Sequence, residues 1–141
     1  MISEFQGRYR FLSNFWPSRI KWRGIVFRYV ENAFQSSKTN LTKTREIIVT
    51  VGPRAAKHMG SKLPLPPDWE NVKEDIMYAL LVLKFEHPVL QANLLATGDD
   101  ELQEGNRWGD TEWGVDLYTG KGENKLGKIL MRIRSEIQVR R

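Results

Sequence analysis

Apolar and polar positions alternate most regularly between Ile20 and Tyr29, where Ile25, Phe27 and Tyr29 share one side of an extended chain. Arg23-Gly24 sits mid-run with turn chemistry, so the stretch predicts an antiparallel hairpin. From about Val30 the period lengthens to that of a helix, bringing Glu31, Phe34, Gln35 and Lys38 onto one face. That face carries an acid, an amide and an amine around a single ring, where a core-facing stripe would be apolar throughout. No Ser, Thr, Asp or Asn immediately precedes Glu31 as a cap, although an acid in the first turn is favoured by the helix dipole.

Thr44 to Val51 is short and β-branched, which leaves helix and strand both open. Pro53, after Gly52, opens a small helix that stops at Gly60, and Lys62 to Pro67 is a loop. Asp68 caps the longest helix, Trp69 to Glu86, whose stripe of Trp69, Val72, Ile76 and Leu80 makes it the expected core helix. His87 and Pro88 open another helix to about Ala96, closed by Gly98. Leu102 to Glu104 reads as a short strand, and Arg107 to Glu123 is too glycine-rich and irregular for a helix. Asn124 caps a last amphipathic helix carrying Leu126, Ile129, Leu130, Ile133 and Ile137. With no repeat or linker, residues 1–141 read as a single domain of α+β class, mainly helical with a small antiparallel sheet.

Composition narrows the classes. Hydrophobic residues make up 40% and charged residues 28% of the 141, an ordinary globular balance. No apolar run approaches the ~20 residues of a membrane span, and Met1 to Arg10 lacks the apolar core of a signal peptide. There is no cysteine, which excludes disulfides and thiolate metal sites and fits a cytoplasmic location. His58 and His87 form no spaced pair, so no metal and no cofactor are expected. They read as a helix-end residue and a cap. The formal charge of +5 suits phosphate-bearing or nucleic-acid partners, with a solvated basic surface as the alternative. Arg132, Arg134, Arg140 and Arg141 read as a solubilising tail.

A second unusual stretch is Asn106-Arg107-Trp108-Gly109-Asp110-Thr111-Glu112-Trp113-Gly114, two tryptophans flanking an aspartate in a loop. Exposed rings there could stack on a planar base, and rings beneath the loop would only fill the core. A carboxylate beside buried rings is a candidate for an altered pKa. Gly120 to Gly127 could cradle phosphate at a helix start, but it matches neither glycine-rich phosphate motif and a bare turn is the simpler reading.

Taken together these segments resemble the NADAR family, the YbiA-like N-glycosidases. Phe11-Leu12-Ser13-Asn14-Phe15 and Glu31-Asn32-Ala33-Phe34-Gln35 with Lys38 are similar to the family's "FLSNF … EHYFQxxK" opening. The likeness continues through Asp68 to Lys73, Lys84-Phe85, Leu94 to Asp99, Trp108 to Gly114 and Gly122 to Arg132, nearly the whole chain in order. The chain departs where the family's His-Tyr is Asn32-Ala33, and at Val30, changes that bear on pocket lining and substrate choice.

The resemblance implies hydrolysis of a bond between ribose C1′ and nitrogen, in a ribosylamine intermediate of riboflavin synthesis or in ADP-ribose attached to guanine in nucleic acid. On that reading Glu31 shuttles the proton, Asp110 engages the ribose or the catalytic water, and Lys38 is a covalent amine if the ring opens to a Schiff base. Trp108, Trp113 and Trp69 line the pocket, Asn14, Phe15, Gln35, Gly114 and Asn124 complete it, and Arg54 and Lys57 take a phosphate. A carboxylate-only route stays open beside the Schiff base. The rivals are a non-catalytic module that binds ADP-ribose or a nucleotide, and a small basic nucleic-acid-binding protein.

Overall fold

The computed structural model describes residues 1–140. The chain divides into two compact units, a continuous one from Asn14 to Lys84 and one made of Met1–Ser13 with the chain from Phe85 onward.

In the continuous unit, β1 (Ile20–Trp22) pairs antiparallel with β2 (Ile25–Phe27), Trp22 opposite Ile25. Arg23 at φ 50° and Gly24 at φ 83° both take the left-handed conformation that a two-residue hairpin turn of type I′ requires. Phe27 is buried and Val26 exposed, the alternation of a half-buried strand. Next comes α1 (Val30–Ser36), starting from Tyr29 with no side-chain cap and burying all seven of its residues. A helix this short does not hold its shape alone in water. It is held by packing against β2, α2 (Thr42–Thr50), α3 (Pro53–Ser61) and α4 (Trp69–Lys84).

The β-branched run is therefore helical, with Ile48 fully buried and its neighbour Ile47 exposed. Asn32 fastens α1 to the end of α2, donating Nδ2 to the carbonyls of Ile48 and Val51 at 2.8 Å each. α3 opens on Pro53 as the sequence suggests and buries Ala56 and Gly60, small residues one turn apart that suit its close packing on α1. α4 ends at Lys84, two residues short of the expected end, and packs on α1 and β1. Trp69, Ile76 and Leu80 are buried as expected and Val72 only half so. Lys73 and Lys84 are buried with them.

In the other unit Ile2 forms a parallel bridge with Leu102: its N–H donates to Glu101 O at 2.8 Å, and Gln103 N–H returns a bond to Ile2 O at 2.9 Å. A 3-10 helix, Gly7–Leu12, then buries Phe11 and Leu12. The strand expected over Leu102–Glu104 is thus one bridge, and ladder pairing occurs just after it, between β3 (Gly105–Asn106) and β4 (Val115–Asp116), in parallel. α5 (Pro88–Ala96) packs against α6 (Lys125–Arg140), whose Leu126, Ile129, Leu130, Ile133 and Ile137 are buried. Arg134 is no solubilising tail residue. It is 5% exposed and donates Nη1 to Thr97 Oγ1 at 2.8 Å. Burial lowers its pKa, against the opposing pull of Asp99 and Asp100. Arg141, read with it, lies outside the described residues.

The class is α+β, dominated by helices, with a small antiparallel sheet. No helix among the described residues is long and apolar enough to cross a membrane.

Candidate active site

Within the continuous unit the candidate residues gather around α1. The Glu31 N–H donates to Asn14 O at 3.3 Å, so the turn at Ser13-Asn14-Phe15 abuts the first turn of the helix. Glu31 is 7% exposed, and its Oε1 accepts a 2.9 Å hydrogen bond from Gln35 Nε2, one turn along. Among the described residues, Gln35 Oε1 is buried with no hydrogen-bond partner, as is Asn14 Oδ1. A buried acceptor without a donor costs about 1–3 kcal/mol, and such costs gather where a site needs them. Asn14 Nδ2 meets only a weak acceptor, Met77 Sδ, at 3.4 Å.

Lys38 lies just beyond the helix, its N–H bonded to Gln35 O at 3.1 Å. Its Nζ stands 5.8 Å from the centroid of Trp69, and the same ring packs at 5.2 Å against Phe34. Lys38 and Trp69 are thus brought together, an attraction worth about 0.5–2 kcal/mol. Arg54 and Lys57 lie in the first half of α3, Arg54 exposed and Lys57 half-buried, three positions before Gly60. Phe15 is exposed.

In the other unit the tryptophan loop is self-organised. Asn106, 1% exposed, accepts the Asp110 N–H on Oδ1 at 3.0 Å and donates Nδ2 to Asp110 O at 2.9 Å and Glu104 Oε2 at 3.1 Å. Asp110 Oδ1 in turn accepts the backbone N–H groups of Glu112 and Trp113, each at 3.0 Å. Gly114 must be glycine, because a Cβ there would overlap Glu104. Its carbonyl accepts the Asn124 N–H at 3.2 Å, and the Asn124 amide bonds both Leu102 O (2.9 Å) and Glu104 N (3.0 Å). Asp110, Trp113, Gly114 and Asn124 therefore form one connected group. Trp108 does not fill the core. It is 61% exposed, while Trp113 is half-buried with Lys125 Nζ 5.9 Å from its ring.

With this geometry in view, a model of the NADAR domain matches residues 3–138. The chain belongs to the NADAR family. It is 41% identical over 133 residues to the N-glycosidase YbiA of Escherichia coli strain K12, covering 90% of this chain and 81% of that one. An N-glycosidase of Nostoc punctiforme is 35% identical over 137 residues, covering 92% and 86%. A riboflavin biosynthesis protein of Vibrio vulnificus is 33% identical over 132 residues, 91% of this chain but 35% of its own. The fold is that of the NMR structure of E. coli YbiA, with a TM-score of 0.85 and 36% identity over 99% of this chain and 88% of that one.

Two features of this NADAR chain escaped the sequence. Lys84, at the end of α4, is 1% exposed, and burial pulls its amine down to about 7, so ammonium and free amine coexist near neutrality. The available signal was a lone lysine inside the apolar run Leu80 to Phe85. The other is Gly60, where a Cβ would overlap Gln35 Oε1 and lie 2.5 Å from Gln35 Cδ.

Proposed function

We propose that this chain is an N-glycosidase that hydrolyses the bond between ribose C1′ and a nitrogen in a nucleotide-like substrate. The substrate is ADP-ribose on guanine in nucleic acid, or a ribosylamino-pyrimidine phosphate of the kind riboflavin synthesis uses. The observation that carries the reading is Glu31, a carboxylate carried on a wholly buried helix and oriented there by an amide. As the C1′–N bond breaks, positive charge grows on C1′ and the departing nitrogen needs a proton. An ionised carboxylate stabilises that charge, takes the proton of the water that adds to C1′, and passes it to the departing nitrogen. Lys38 is the amine that would capture a ring-opened C1′ as a Schiff base, its Nζ 5.8 Å from the centre of the Trp69 ring. Asp110 takes the ribose or the catalytic water, and Trp108, Trp113, Asn14, Phe15, Gly114 and Asn124 bind substrate.

Charge supports an anionic substrate. Residues 19–62 hold ten lysines and arginines against two acids, while the rest of the chain holds twelve against fifteen. Arg19, Lys21, Arg23, Arg28, Lys43 and Arg54 are exposed. Loss of hydration around the Arg23 guanidinium lowers its pKa, and Arg45, a like charge, adds to the effect. A surface of this sign fits phosphate at Arg54 and Lys57, and transient contact with a nucleic-acid backbone. The compartment we assign is the cytoplasm.

The test measures base release from both substrates side by side. Glu31→Gln is expected to lose about 10²–10⁴-fold in kcat while unfolding at the same temperature as the wild type. Full activity in that variant overturns the role of Glu31, and binding without turnover in the wild type makes the chain a nucleotide-binding module. Borohydride should trap a covalent adduct in the wild type and none in Lys38→Ala. An active wild type that gives no adduct leaves the carboxylate-only route.

A further inference from the structure

Gln35 makes one hydrogen bond through its side chain, the 2.9 Å donation from Nε2 to Glu31 Oε1. Because an ionised carboxylate only accepts, the amide has to present its nitrogen to Glu31. That turns Oε1 the other way, toward α3, where it is buried and meets no donor among the described residues. What it meets is Gly60, whose Cβ, if it had one, would occupy the place of Oε1 and lie 2.5 Å from Cδ and 3.0 Å from Cγ. In place of that clash the glycine offers only a hydrogen along this direction. The amide is thus clamped between a carboxylate and a bare Cα. Gly60 takes no left-handed φ, so backbone conformation does not demand glycine here. The demand comes from the side chain of α1.

We infer that Gly60 and Gln35 are positioning residues for Glu31: the missing Cβ on α3 sets where the Gln35 amide stands, and the amide sets the orientation and charge preference of the carboxylate. This rests on the reading that Glu31 carries the proton. It removes Gln35 from the substrate-binding set and gives it a role that acts through Glu31. The atoms displaced by a Cβ belong to the far end of a flexible side chain, so Gly60→Ala is expected to fold with the amide pushed aside. Loss of an N–H donor favours the protonated carboxyl, which moves the pH–rate limb belonging to Glu31 to higher pH.

The experiment is a double-mutant cycle of Gly60→Ala and Gln35→Ala, followed by kcat, KM, the pH–rate profile and thermal unfolding on whichever of the two substrates the wild type cleaves. Gly60→Ala is expected to lower kcat about ten- to hundredfold with KM changed less than about threefold, and to shift the limb upward. In the Gln35→Ala background the same change is expected to alter kcat less than about twofold, because its target has gone. Gln35→Glu, of equal shape, should shift the limb upward as well, by placing a second carboxylate beside Glu31. Wild-type kcat and profile in Gly60→Ala overturn the inference, as does an equal loss in both backgrounds. An inactive Glu31→Gln beside a fully active Gly60→Ala sinks this inference alone, whereas an active Glu31→Gln sinks the functional reading itself.

Discussion

Helix α1 and the tryptophan loop are both rich in polar side chains, and they treat them in opposite ways. The loop pairs its polar atoms with one another: Asn106 serves the N–H and carbonyl of Asp110 and the Glu104 carboxylate, and Asp110 serves two further N–H groups. α1 leaves acceptors bare, Gln35 Oε1 and Asn32 Oδ1, although all seven of its residues are buried. In the loop, polarity builds a shape. In α1 it holds a carboxylate in a place where folding alone would put a hydrocarbon.

The largest expected effect follows from that contrast. Asn106→Ala should cost about 3 kcal/mol in chemical denaturation, since it orphans several groups at once. A loss under about 1 kcal/mol would mean the network is not what shapes the loop. Next, Asp110→Ala should cost about 1–2 kcal/mol by removing the acceptor of two N–H groups, while Asp110→Asn keeps an acceptor oxygen and should fold like the wild type. If Asp110→Asn also keeps full kcat, Asp110 builds the loop and does no chemistry, which sharpens the contrast further. The expected result is a loss of about a hundredfold.

Lys84 extends the comparison from α1 to the end of α4. The unfolded lysine holds its proton to about pH 10.4, whereas the buried amine releases it at about 7. Between those limits the unfolded chain binds more protons, so the stability of the fold rises with pH, by at most about 1.4 kcal/mol per unit. Below pH 7 both states are protonated and the full cost of the buried charge is felt. Lys84→Met should abolish the rise in unfolding temperature between pH 7 and 9.5; a variant with the wild-type slope would show that Lys84 is not its source. The smallest effect belongs to Trp108→Ala, expected to leave stability within about 0.5 kcal/mol because the ring is exposed. Its KM should still rise at least about fivefold if the ring stacks on a base.

Much of this was legible in the chain. Arg23-Gly24 named the hairpin turn, Pro53 and Pro88 named two helix starts, and the polar face of α1 stood out by its period. What escaped notice were non-local facts. Ile47 and Ile48 read equally well in helix or strand until the packing of α2 on its neighbours selects one of them for burial. Arg134 looked like a surface charge because its partner, Thr97, is 37 positions away. Gly60 looked like an ordinary helix stop, since only the approach of Gln35 shows why a methyl is excluded.

The parallel bridge of Ile2 to Leu102 bears on how the molecule comes into being. Asn14 to Lys84 is one uninterrupted stretch, with Glu31, Gln35 and Gly60 all inside it. The first thirteen residues are synthesised before that stretch, yet Ser3 accepts a hydrogen bond from Gln103, 100 positions later. The bonds of Ile2 and Ser3 must wait until residues 101–103 arrive, and contacts so distant in sequence form slowly. Glu31 and its partners thus need only nearby chain, whereas the opening residues need a segment 100 positions away.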